Sequence, residues 1–191
     1  MIRMPEFIIF TGPMFGAKTS RLLAAIDRFS YQNRNVICFK PRIDRRYSIS
    51  NITTHNGKSI EAVSVNTGEE IVKIVNDKDG FFDVVAVDEA FMIEGCAEAL
   101  LELFRNGMTV VVSSLQLSAT GNVFEEVRDM MPWATKIEVC PAVCTVSGND
   151  AYYTHKKVDD LAEITVGGSE LYGPRCWVHH PFMNQIQHRR E

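Results

Sequence analysis

A chain of 191 residues, 46% hydrophobic and 23% charged, is long enough for one full core with a small appendage and too apolar to stay disordered. A formal net charge of −4 and a pI near 5.8 exclude an extended nucleic-acid surface, which would need clustered Lys and Arg, and leave room for a local anion pocket. No apolar run approaches the ~20 residues that span a membrane, and an odd cysteine count without a secretory pattern predicts reduced thiols and a cytoplasmic location.

In chain order, Phe7-Ile8-Ile9-Phe10 is too short for a helix and predicts a strand buried on both faces of a parallel sheet. A glycine-containing turn leads into Lys18–Phe29, where Leu22, Leu23, Ala25, Ile26 and Phe29 recur at helical spacing. Val36–Phe39 predicts a second strand that ends at Lys40-Pro41, where proline blocks further pairing, and the polar stretch 42–58 reads as an excursion. A short helix over Glu69–Val75, a turn over Asp77–Gly80 and a strand over Val84–Val87 follow. Next come a helix over Ala97–Phe104 closed by Asn106-Gly107, a strand over Thr109–Val112, and a helix over Phe124–Met131 stopped by Pro132. This alternation implies βαβ units around a parallel sheet. After Ile137–Val139 it gives way to short β-like runs at Ala151–Thr154 and Ile164–Val166. The predicted division is an α/β domain of residues 1–139 and a smaller module of residues 140–191.

Gly12-Pro13-Met14-Phe15-Gly16-Ala17-Lys18-Thr19 fits the phosphate-loop pattern G-x-x-x-x-G-K-[ST] at every fixed position but one, where Ala17 replaces glycine. Such a loop turns backbone N–H groups and a helix N-terminus toward phosphate oxygens, while Lys18 neutralises charge and Thr19 holds Mg²⁺. The extra methyl of Ala17 costs about 1 kcal/mol if its backbone angle is unusual, and Gly16 is expected to restore the freedom. A chance Gly-rich turn is disfavoured by the strand before it and the amphipathic helix after it.

The strand ending in Asp88-Glu89 supplies the expected partner: Asp88 beside Thr19 on Mg²⁺, and Glu89, pointing the other way along the strand, as general base for a hydroxyl or a water. Asp44-Arg45-Arg46-Tyr47 offers cations for a transferring phosphoryl group, or is an exposed basic turn. Cys140-x3-Cys144 with Cys176-x2-His179 has the two-pair spacing of a closed structural Zn²⁺ site, with His180 as a substitute for His179, or else is a set of reduced cysteines beside surface histidines. Cys38 and Cys96 read as buried small hydrophobes.

Together these residues resemble the type II thymidine kinase family over about Phe7 to His179. The resemblance rests on Gly-Pro-Met-Phe-x-x-Lys-Thr, Lys40-Pro41, Asp44-x-Arg46-Tyr47, Asp88-Glu89-Ala90, the cysteine pair, Tyr153-Thr154, Val166-Gly167-Gly168-x-x-x-Tyr172 and Cys176-x2-His179. It implies a RecA-like ATP-binding domain with a small zinc-bearing lasso domain, and ATP-dependent 5′-phosphorylation of thymidine or deoxyuridine. Glu89 would be the base, with Lys18 and Arg46 on the phosphates and Mg²⁺ on Thr19 and Asp88. Met14, Leu115, Phe124, Thr154 and Tyr172 would line the nucleoside pocket, with backbone near Val166 reading the base edge. The resemblance also implies a homotetramer restrained by the end-product triphosphate. Where the family reads Asp-Glu-Ala-Gln-Phe, this chain has Asp88-Glu89-Ala90-Phe91-Met92, so Met92 would face the pyrimidine through its sulfur. The alternatives are a nucleic-acid-dependent ATPase with a zinc module, and a degenerate nucleotide-binding member with weak transfer.

Overall fold

The computed structural model describes residues 4–44, 51–53, 59–77, 81–158 and 167–184. The first half runs β1 (Phe7–Thr11), α1 (Lys18–Tyr31), β2 (Val36–Pro41), β3 (Asn51–Thr53), β4 (Ser59–Glu61), β5 (Val63–Val65), α2 (Gly68–Asp77) and β6 (Val84–Asp88). The second half continues with α3 (Cys96–Arg105), β7 (Thr109–Ser113), α4 (Glu125–Met130), β8 (Lys136–Val139), β9 (Ala142–Val143), β10 (Asp150–Ala151), β11 (Tyr153–Lys156) and β12 (Tyr172–Arg175).

Six strands form one sheet in the order β5-β2-β6-β7-β1-β8, and every neighbouring pair is parallel. The apolar runs are continuous because both faces are covered. Phe7, Ile9, Phe39, Val85, Val87, Val110 and Val112 pack with Ile71 of α2, with Leu100 and Leu103 of α3, and with Met130 of α4. The alternate residues Ile8, Phe10, Cys38, Val84, Ala86 and Val111 pack on the other side with Leu22, Leu23, Ile26 and Phe29 of α1. Burying each such side chain contributes about 1.5–3 kcal/mol before chain entropy is counted. This layered α/β architecture agrees with the expected fold class.

Strand order also sets the site. β7 lies between β1 and β6, and its register places Ser113 opposite both Phe10 and Asp88. The C-terminal ends of β1, β7 and β6 therefore finish at one level, where open parallel sheets present their ligand crevices.

Two expectations are adjusted. Pro41 does not end β2 before pairing: it is the strand's last residue, opposite Val65 on the β5 side, while pairing with β6 has already ended at Phe39. Its missing N–H thus falls where the β6 ladder has stopped. The excursion after β2 carries a two-stranded antiparallel ribbon, β3 with β4, and the short edge strand β5, neither of which was foreseen. Beyond Val139 the strands leave the main sheet and pair as two small antiparallel sheets, β9 with β10 and β11 with β12.

Candidate active site and metal centre

The loop after β1 is built from unusual backbone angles and close approach. Gly12 has φ +129°, and a side chain at Gly12 or Gly16 would collide with the carbonyl oxygen of Cys140. Phe15 and Ala17 also have positive φ, at 67° and 56°. Gly16 therefore does not relieve Ala17: the alanine itself takes the left-handed conformation that immediately precedes α1. The Phe15 side chain packs against Ala142, Cys144, Ala151 and Cys176, pinning the loop to the cysteine-bearing segment. Lys18 is buried and its Nζ donates to the Pro13 carbonyl at 2.6 Å, an ammonium held across the mouth of the loop.

Across β7, Thr19 Oγ1 lies 3.2 Å from each carboxylate oxygen of Asp88, and the Ser113 hydroxyl donates to Asp88 Oδ1. Burial, followed by the charge of Glu89, pushes the Asp88 carboxyl up to about 7, against the hydrogen bonds from Ser113 and Thr19 and the charge of Lys18. A buried carboxyl facing a hydroxyl, with its ionised form disfavoured, suits a cation that restores that form. Glu89 is not the next residue of the strand. It takes φ 51° and ψ 44° and starts the 3₁₀ turn Ala90–Met92, so a left-handed turn rather than strand alternation separates its direction from that of Asp88.

That turn leads to an apolar cluster. Phe91, Leu115, Phe124 and Val127 are buried together, and Met14, Met92 and Met131 pack against them. The rings of Phe91 and Phe124 have centroids 4.5 Å apart. The structure thus joins Met14, Met92, Leu115 and Phe124, and adds Phe91, which the sequence offered only as a lost amide. Thr154 enters through a different contact: its Oγ1 accepts the Met14 N–H at 3.0 Å. Tyr172 is buried and sits opposite Lys156, on the same face of the β11–β12 ribbon as the Thr154–Pro174 pair. Gly168 opens a turn whose carbonyl accepts the N–H groups of Leu171 and Tyr172 at 3.1 and 3.0 Å. Arg46 and Val166 lie outside the described residues.

Of the expected zinc ligands, Cys144, Cys176 and His179 converge, with their donor atoms all within 4.8 Å of one another. His179 Nδ1 is 3.2 Å from Cys176 Sγ and 3.8 Å from Cys144 Sγ. A tetrahedral zinc site with ~2.3 Å metal–sulfur and ~2.0 Å metal–nitrogen bonds has donor–donor edges of roughly 3.3–3.8 Å, so these three fit such an ion. Burial resists ionisation of Cys144, but hydrogen bonds from the Ser147 hydroxyl and from the amides of Cys176, Val146 and Ser147 outweigh it and bring the thiol to about 5.

Cys140 does not join them. Its N–H donates to Thr11 at 2.7 Å, extending the β8–β1 ladder, and its side chain packs in the core beside α1, where burial raises the thiol. The sheet edge has already claimed it. His180 is no substitute for His179 either: it is 1% exposed, and its Nε2 donates to the Thr154 carbonyl at 2.9 Å while Nδ1 accepts the Met183 N–H at 3.3 Å.

The family model described as thymidine kinase matches residues 6–180. The chain belongs to the thymidine kinase family. It is 36% identical over 182 residues to the thymidine kinase of Thermococcus kodakarensis, covering 90% of this chain and 92% of the relative. It is 33% identical over 180 residues to the thymidine kinase of Pyrobaculum aerophilum, covering 91% of this chain and 97% of the relative. A member of the thymidine kinase family is a phosphotransferase with ATP as donor and a nucleoside as acceptor, which matches a phosphate loop facing an apolar, aromatic-lined cluster. No helix among the described residues is long and apolar enough to cross a membrane.

Beyond Phe91, sequence reasoning missed Ser113, Gln116 and Ser147. Ser113 was legible as the polar end of a buried strand, the position Asp88 holds on β6. Gln116, whose Oε1 accepts the Thr11 hydroxyl at 3.2 Å, carried no spacing signal. Ser147 stands in Cys144-x2-Ser147, the same spacing as Cys176-x2-His179, but a serine by itself carries no metal-site signal.

Proposed function

We propose that the chain transfers the terminal phosphoryl group of ATP to the 5′-hydroxyl of thymidine or deoxyuridine, with Glu89 taking the hydroxyl proton. The observation that carries this reading is the convergence at one loop: Thr19 meets Asp88 on one side, and Met14 joins the Phe91–Phe124 cluster on the other. Donor and acceptor would thus be gripped by neighbouring residues of a single turn. That arrangement suits a reaction whose catalysis is mainly positioning and electrostatics.

In this reading Lys18 exchanges its bond to Pro13 for phosphate oxygens, and Arg46 adds a second cation. Thr19 and Asp88 hold Mg²⁺, which when bound shields the phosphate charges. Ser113 keeps the Asp88 carboxyl aimed. Glu89 accepts the 5′-hydroxyl proton as the oxygen attacks the phosphorus and the bond to the departing ADP breaks. Met14, Met92, Leu115 and Phe124 enclose the base, Thr154 and Tyr172 stand on the ribbon beside it, and backbone near Val166 reads the base edge. The smaller module from residue 140 supports that acceptor side, with Cys144, Cys176 and His179 as zinc ligands. Assembly as a homotetramer and restraint by the end-product triphosphate belong to the same reading and are read by sedimentation and by adding that triphosphate to the assay.

Incubation with ATP, Mg²⁺ and each of several nucleosides tests the proposal. Thymidine or deoxyuridine monophosphate is expected, and Glu89→Gln is expected to slow its formation at least ~10²-fold with ATP binding retained. Phosphate release that needs DNA and no nucleoside would instead select an ATPase.

A further inference from the structure

We infer that the metal centre is completed by an oxygen: the hydroxyl of Ser147 joins Cys144, Cys176 and His179 as the fourth protein donor to one zinc-sized cation. Ser147 Oγ lies 3.6 Å from Cys176 Sγ, an edge length that matches the 3.2 and 3.8 Å edges from His179 to the two sulfurs. It also hydrogen-bonds Cys144, so it touches both sulfurs of the set. Cys140 is held away by the β1 ladder and the core beside α1.

The backbone supports the same assignment. Cys144-x2-Ser147 and Cys176-x2-His179 are two turns of equal length, the second closed by the His179 N–H on the Cys176 carbonyl at 3.1 Å. The first turn is fixed by Gly148 N–H to the Cys144 carbonyl at 2.9 Å and by Cys144 N–H to the Asn149 carbonyl at 2.8 Å. Asn149 N–H reaches Ser147 Oγ at 3.4 Å, and a hydroxyl oxygen has a second lone pair for a cation.

The donor set then has two thiolates, one imidazole and one neutral hydroxyl. On loading, both sulfurs bind as thiolates, any proton still on a thiol passes to solvent, and the serine keeps its own. Two thiolates balance the charge of a divalent ion, so the centre is electrically neutral. It is also softer to chelators than a site with a third thiolate.

The test uses the full chain, stripped with a chelator and reloaded with Zn²⁺ or Co²⁺. Competition against a chromophoric chelator gives affinity, and the cobalt charge-transfer band reports the thiolate count. One metal per chain is expected, with a two-thiolate band. Ser147→Ala should weaken zinc about 10–100-fold. Ser147→Cys should tighten zinc and raise the band in the ratio three to two, and it keeps the proposal testable should the alanine variant misfold. Three results would each overturn it: no bound metal, wild-type affinity and spectrum in both variants, or loss of band intensity in Cys140→Ser. The readout is metal binding alone, so its failure leaves the phosphoryl-transfer reading standing.

Discussion

Ala17 is an L-residue in a conformation that glycine adopts freely, with φ 56° and an exposed side chain. A left-handed alanine costs roughly 1–2 kcal/mol, and glycine gives back roughly 0.4–1 kcal/mol through the unfolded chain. Ala17→Gly is therefore expected to stabilise the protein by roughly 0.5–1 kcal/mol, a rise of roughly 1–4 °C in melting temperature by calorimetry. Asp88 makes a pH prediction of the opposite kind. Its carboxyl titrates near 7 in the fold against an ordinary value of 3.8, so the folded state holds a proton that the unfolded chain has already released. Without Mg²⁺, its contribution to stability is full below about pH 4 and is lost as pH rises through about 7. Denaturant titrations between pH 5 and pH 8 should show metal-free protein weakening toward the alkaline end, and Asp88→Asn should flatten that slope.

At the scale of elements, α3 and α4 are joined by one side chain. Glu126 of α4 accepts the Gly95 N–H and the Ala97 N–H, both at 2.7 Å, one with each carboxylate oxygen. It thereby caps an α3 N-terminus that has no capping side chain of its own. Glu126→Ala is expected to cost about 1–2 kcal/mol in urea unfolding. Because α4 also carries Val127 and follows Phe124, the same change should raise KM for the nucleoside more than KM for ATP. The helices themselves were legible from the spacing of Leu22, Ile26 and Phe29 or of Leu100 and Leu103, since one-sided burial imposes that period. The cap was not legible, because its acceptor and donors are 29 and 31 positions apart and meet only after the sheet brings α3 beside α4.

Across the whole molecule, the segment that carries Cys144, Cys176 and His179 and the phosphate loop form one connected body among the described residues. His180, next to His179, holds the Thr154 carbonyl, and the Thr154 hydroxyl holds the Met14 N–H. Phe15 adds an apolar anchor on Cys144 and Cys176. Thr154→Val leaves a loop amide without its acceptor, a loss of roughly 1–3 kcal/mol. It should raise KM for ATP and nucleoside together, since Met14 belongs to the turn that faces both. Steady-state kinetics with each substrate varied would check this, and an effect on the nucleoside alone would count against a shared loop.

The sequence by itself determined the layered α/β class, the phosphate loop and the acids at the end of β6. Each is local: a run of apolar residues buried on two faces, a turn that must present backbone N–H groups, a strand end that must present a carboxyl. Only the tertiary structure decided the rest. It committed Cys140 to the sheet edge and the core, moved His180 from metal to Thr154, turned Glu89 by a positive φ and set Phe91 against Phe124. Those outcomes rest on contacts between residues far apart in the chain, where a neighbour already hydrogen-bonded or packed removes a side chain from the role that its spacing alone would allow.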